Sequence, residues 1–178
     1  MLKYINYEVA FQEVPDEISL CINISNCPNH CKGCHSQYLW EDKGTILDDE
    51  SLFKLIDQNN GITCVSFMGG DNDPDQVKEL AQGIKENYDL KVCWYSGKSL
   101  LTNFDYTPFD FVKTGPYIEE YGGLDNPNTN QRFYKVVNYT PFDFMKTGPY
   151  IEEYNKYDKF LYSTFEDITY KFQENGRN

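Results

Sequence analysis

The chain has 178 residues, with 28 acidic against 16 basic side chains and a formal net charge of -12. A length of one domain is expected to bury roughly 70% of the unfolded chain's surface, and 40% hydrophobic with 16% aromatic residues supplies a core that argues against wholesale disorder. The charge repels phosphate backbones and anionic lipid, which argues against nucleic acid or a membrane surface and favours a protein or small-ligand partner.

In chain order, residues 18–24, ISLCINI, are apolar and β-branched and predict a strand that runs into a loop holding three cysteines. Asp48 or Asp49 can cap a helix whose Leu52, Phe53, Leu55 and Ile56 recur at helical spacing until Asn59-Asn60-Gly61. A buried strand follows at 62–68, ITCVSFM, then Gly69-Gly70-Asp71, then a helix opened by Pro74 with Val77, Leu80, Ala81 and Ile84 on one side. Residues 90–95 and 109–114 predict further strands, closed by Ser96-Gly97-Lys98 and Gly115-Pro116, and NQRFYKVV and a terminal EDITYKF predict two more. Strands alternating with helices imply an α/β fold with a mostly parallel sheet. In such sheets ligands gather at the carboxyl ends of the strands, so the cysteine loop, the GGD turn and the SGK turn are expected at one edge.

YTPFDFVKTGPYIEEY at 106–121 returns at 139–154 with Val112 replaced by Met145. Two copies with unrelated flanks do not make a stacked repeat array, which needs three or more units. The chain is therefore expected to be one domain over 1–178 with the second copy inserted. Only the first copy is followed directly by GGLDNPNTNQ, so 106–114 is expected to supply the native strand and 139–164 to lie outside the main sheet.

Three of the six cysteines, Cys27, Cys31 and Cys34, lie within CPNHCKGCH at C-x3-C-x2-C, while Cys21, Cys64 and Cys93 are scattered in apolar segments and read as small core residues. No apolar run approaches the roughly 20 residues of a membrane span, and the opening MLKYINYEVAFQEV lacks a secretion-signal pattern, so a cytoplasmic and reducing setting is expected, where the close trio reads as a metal site. Spacing alone leaves two occupants open. An iron–sulfur cubane held by three thiolates keeps one iron without protein ligation, whereas structural zinc would take His30 or His35 as a fourth ligand.

C-x3-C-x2-C after the first of these strands, followed by GGD after the next, resembles the radical S-adenosylmethionine enzymes. CPNHCKGCH, FMGGD, WYSGK, the K-x-G at 113–115 and GGLDNPNTNQRFY together are similar to the activating protein of anaerobic ribonucleoside-triphosphate reductase. The resemblance implies a partial (βα) barrel and a [4Fe-4S] cluster on Cys27, Cys31 and Cys34, whose open iron chelates S-adenosylmethionine and passes it one electron. The 5'-deoxyadenosyl radical so formed takes a hydrogen from a glycine of the partner reductase, with a low-potential donor such as flavodoxin supplying electrons. It further implies that Gly33, Cys34 and His35 of the cluster loop and Gly70, with Gly69 and Asp71 beside it, contact S-adenosylmethionine. There glycine gives the backbone clearance to approach a ligand. Ser96, Lys98 and Lys113 are candidates for its adenosine or carboxylate, and His30 is expected to face solvent. Gly33 stands where many radical enzymes carry an aromatic residue, and glycine there suits the reductase-activating group. The alternatives are a radical enzyme acting on a small molecule, such as the deazaguanine-forming type, and a zinc or electron-transfer module without catalysis.

Overall fold

The computed structural model describes residues 1–139 and 162–175. Among the described residues eight strands form one open sheet: β1 Lys3–Ala10, β2 Ser19–Ile24, β3 Thr45–Ile46, β4 Cys64–Met68, β5 Lys91–Tyr95, β6 Phe111–Thr114, β7 Arg132–Tyr139 and β8 Tyr162–Asp167. Their order is β3-β1-β2-β4-β5-β6-β7-β8. The centre, β2-β4-β5-β6, is parallel, and both flanks are antiparallel. The expectation of a mostly parallel sheet is thus corrected to a parallel centre with antiparallel wings, and the sheet does not close into a barrel. The β1–β2 link, residues 11–18, is too short for the crossover a parallel pair needs, so that wing is antiparallel, and residues 115–131 join β6 to its antiparallel neighbour β7 without a helix.

Two helices cover one face, α1 Asp49–Gln58 and α2 Pro74–Asn87. The Asp48 carboxylate accepts from Ser51 N at 2.9 Å and Ser51 Oγ accepts from Asp48 N at 2.9 Å, a reciprocal cap on α1. Asp73 caps α2, accepting from Gln76 N at 3.3 Å, with Pro74 in the first helical position where its missing N–H costs nothing. Leu20, Ile22, Ile24, Val65, Phe67, Val92, Trp94 and Val112 point from the strands toward Leu52, Leu55, Ile56, Val77, Leu80, Ala81 and Ile84 of the helices. Each of the larger aliphatic side chains contributes about 1.5–3 kcal/mol by burial. Alternate strand residues face the other side, where Cys64, Cys93, Phe111 and Phe133 pack with Val14 and Ile168.

Two details depart from the sequence reading at the C-terminal wing. The chain leaves the sheet at Asp167, whose carboxylate accepts from Thr169 N and Thr169 Oγ1 at 2.9 and 2.6 Å, and Tyr170–Asn175 then forms a helix, α3, in place of the expected EDITYKF strand. Phe172 of α3 seats against Phe133, ring centroids 4.9 Å apart. Tyr139 and residues 162–164 belong to the sheet, paired between β7 and β8, because the long β7 runs on to Tyr139. This corrects the expectation that all of 139–164 lies outside; 140–161 lie beyond the described residues. β6 comes from the first repeat copy and sits between β5 and β7. Among the described residues no helix is long and apolar enough to cross a membrane.

Candidate iron–sulfur centre

The four parallel strands end at Ile24, Met68, Tyr95 and Thr114, and the segments that follow meet at this edge. A cavity of about 220 Å³ lies there, lined by Cys27, Cys31 and Cys34, by Gly69, Asp71, Ser96 and Lys113, and by Asn23, Met68, Tyr95 and Gln131 among others. The expectation of three turns at one edge therefore has a physical counterpart in a shared cavity.

The cysteine loop folds by its own hydrogen bonds. Cys27 N donates to Leu39 O at 3.0 Å, Cys34 N to Cys31 O at 3.1 Å, and a short 3-10 turn spans Gln37–Leu39. Donors point at the sulfurs: Ser36 N lies 3.4 Å from Cys34 Sγ, Asn29 Nδ2 lies 3.8 Å from Cys27 Sγ, and the backbone at Asn29 and His30 also donates to Cys27. Burial nonetheless pushes the Cys27 thiol up, the larger effect, so the sulfur is held as a thiol until something positive takes the proton's place. Donors aimed at sulfur suit a thiolate bound to iron.

His30 has a left-handed backbone, φ 44°, and its ring stacks on Trp40 at 4.8 Å and 13°. His35 tilts against the Tyr117 ring at 5.7 Å. Among the described residues no three His, Cys, Asp or Glu side chains converge as ligands of a single ion would, whereas a cubane takes its thiolates at separate irons.

Asp71 ties the edge together. It is 3% exposed, and its carboxylate accepts from Ser96 Oγ at 2.6 Å, Gly97 N at 2.7 Å and Asn29 Nδ2 at 2.6 Å, while its carbonyl accepts from Lys98 Nζ at 2.8 Å. A buried carboxylate needs such donors to offset desolvation. Lys113, 9% exposed, donates to Gly115 O at 2.7 Å, and burial pulls its pKa down to about 8 against the opposing charge of Asp71 and the three cysteine sulfurs. Its ammonium is the buried cation of this cavity.

The structure brings Cys27, Cys31, Cys34, Gly69 and Asp71 to the cavity wall, whereas Gly33, His35, Gly70 and Lys98 are not among its lining residues. The glycines have intramolecular reasons for being glycine. A Cβ on Gly70, φ 89°, would stand 2.5 Å from Val77 Cγ2, and one on Gly69, φ 109°, would stand 3.1 Å from Ile24 O. Trp94 Nε1 donates to Gly69 O at 2.8 Å and holds this turn. Sequence reading missed Asn29 and Gln131. Both stand inside stretches that the sequence reading quoted, Asn29 in CPNHCKGCH and Gln131 in GGLDNPNTNQRFY, but neither was singled out for the site.

Cys21, Cys64 and Cys93 lie in the core on the opposite face from the helices. Burial pushes Cys21 and Cys64 up to about 12 and Cys93 well above its ordinary value, so all three stay protonated and inert.

No curated protein and no solved structure matches the chain. A family model described as a 4Fe-4S single cluster domain matches residues 18–114, which run from β2 through the cysteine loop to the end of β6 and make up more than half of the chain. With three thiols on one cavity wall inside the matched region, the chain belongs to the 4Fe-4S single cluster domain family.

Proposed function

We propose that this protein is a radical S-adenosylmethionine enzyme that activates an anaerobic ribonucleoside-triphosphate reductase by generating a glycyl radical on it. The observation that carries the reading is a three-cysteine loop facing a cavity at the carboxyl edge of a parallel sheet, with a glycine turn and a buried lysine on the same wall. A cluster with three protein thiolates keeps one iron free, and when bound it supplies one electron for reductive cleavage of a sulfonium substrate.

The chain's own residues bind, orient and exclude water. Cys27, Cys31 and Cys34 would hold three irons of the cluster. Lys113 sets a positive charge in the cavity, suited to an anionic cluster and to the carboxylate of the methionine moiety. Ser96, Gly69 and Asp71 form the wall beside it, and Ile24, Leu39 and Met68 supply apolar surface that limits water. The reductase as partner rests on the combination of CPNHCKGCH, FMGGD, WYSGK and GGLDNPNTNQRFY, and the net charge of -12 suits a protein partner better than nucleic acid.

The test is product analysis. Anaerobically reconstituted protein with S-adenosylmethionine and a low-potential reductant is expected to yield 5'-deoxyadenosine and methionine. Addition of an anaerobic reductase should then give a glycyl radical signal on that partner. Iron–sulfur protein that yields no 5'-deoxyadenosine under these conditions would leave an electron-transfer module instead.

A further inference from the structure

Asn29, in the middle of the cysteine motif, stands between a buried carboxylate and a cluster sulfur. Its side-chain amide has two N–H groups. One meets Asp71 Oδ2 at 2.6 Å, and the same nitrogen lies 3.8 Å from Cys27 Sγ. Asp71 is itself fixed by Ser96 Oγ and Gly97 N, both from the turn after β5, so the amide is anchored to the sheet and not merely to its own loop. With one N–H tied to the carboxylate, the other has little freedom, and it is the one left for the sulfur.

Gly97 makes the approach possible. A Cβ at that position would stand 2.3 Å from Asn29 Nδ2, closer than any side chain tolerates, so the amide reaches Asp71 only over a glycine. Three segments distant in sequence thus converge on one nitrogen beside one sulfur.

We propose that Asn29 is a positioning residue for the cluster: anchored by Asp71 and given room by Gly97, its amide orders the cysteine loop and donates to the Cys27 sulfur, raising the cluster's reduction potential. The direction follows from charge. A hydrogen bond to a thiolate sulfur favours the reduced, more negative cluster, and such bonds are among the determinants of cluster potential. Partners that orient metal ligands are worth about 10- to 100-fold in metal retention when removed. The proposal rests on the cluster alone, not on cleavage of S-adenosylmethionine.

The experiment compares anaerobically reconstituted full-length protein with Asn29→Ala, Gly97→Ala and Asp71→Asn by redox titration and by the rate at which a chelator bleaches the cluster, with far-ultraviolet dichroism confirming that each apoprotein is folded. Asn29→Ala should lose its cluster about 10- to 100-fold faster and titrate at a more negative potential. Gly97→Ala should do the same although both Asn29 and Asp71 are intact. Asp71→Asn still accepts from Asn29 and Gly97 with its amide oxygen, so it should keep the cluster and titrate at a more positive potential, one negative charge having gone. A potential unchanged in folded Asn29→Ala or Gly97→Ala would overturn the proposal, because a purely structural loop residue changes retention without touching the potential. Unmodified protein that holds its cluster but yields no 5'-deoxyadenosine would count against the proposed function and leave this inference standing.

Discussion

The six cysteines divide by environment. Three line the cavity and three lie in the core, where burial holds the thiols protonated. In native apoprotein, iodoacetamide is expected to modify Cys31 and Cys34, to modify Cys27 more slowly because burial raises its thiol, and to reach Cys21, Cys64 and Cys93 only after unfolding, as read by peptide mass spectrometry. Labelling of Cys93 in folded protein would contradict this core. Replacing any one of Cys27, Cys31 or Cys34 by alanine should abolish stable uptake of iron and sulfide, whereas Cys21→Ala should leave it intact. The cysteine trio was legible because ligand spacing within one loop is a local property of the sequence. The role of Asn29 was not, because its meaning comes from Asp71 and Gly97, some 40 and more residues away, which only the parallel register of β2, β4 and β5 brings to the same place. For the same reason the glycines of the GGD turn were read for ligand clearance, while the folded chain gives them Val77 and Ile24 to avoid.

At the scale of elements, α1, α2, β2, β4, β5 and β6 were legible from caps, periodicity and turn residues. β1 was not read as a strand, because KYINYEVA carries polar residues on both faces and lies near the sheet edge, half-exposed, where no apolar run marks it. The cap on α1 has a pH signature. Hydrogen bonds from Ser51 hold the Asp48 carboxyl below its ordinary 3.8, so the folded protein binds fewer protons than the unfolded one as the pH falls. The cap's contribution is therefore complete above the ordinary carboxylate range and fades as pH drops through the lowered value. The melting-temperature gap between the parent and Asp48→Asn, which caps without titrating, is expected to close in acid; a constant gap would contradict it. β6 offers a second test. Val112 is fully buried, paired with Trp94 on β5 and Tyr134 on β7, and it is the position at which the two repeat copies differ. Val112→Met, which writes the second copy's residue into the first, should cost about 1–3 kcal/mol by overpacking, seen as a lower denaturant midpoint. An unchanged midpoint would show that either copy suits this strand.

For the whole molecule, the sheet has a helix-covered face and an edge that carries the chemistry. The parallel centre accounts for both: it sends its helices to one side and gathers four strand ends around the cysteine loop. The antiparallel wings extend the sheet without adding cysteine ligands. The most direct test of the radical assignment is electron paramagnetic resonance of the reconstituted, reduced protein, recorded with and without S-adenosylmethionine. A [4Fe-4S]+ signal whose g values change when S-adenosylmethionine is added is the predicted result, because a cluster held by Cys27, Cys31 and Cys34 alone would leave one iron open to it. A cluster signal indifferent to S-adenosylmethionine would contradict the account.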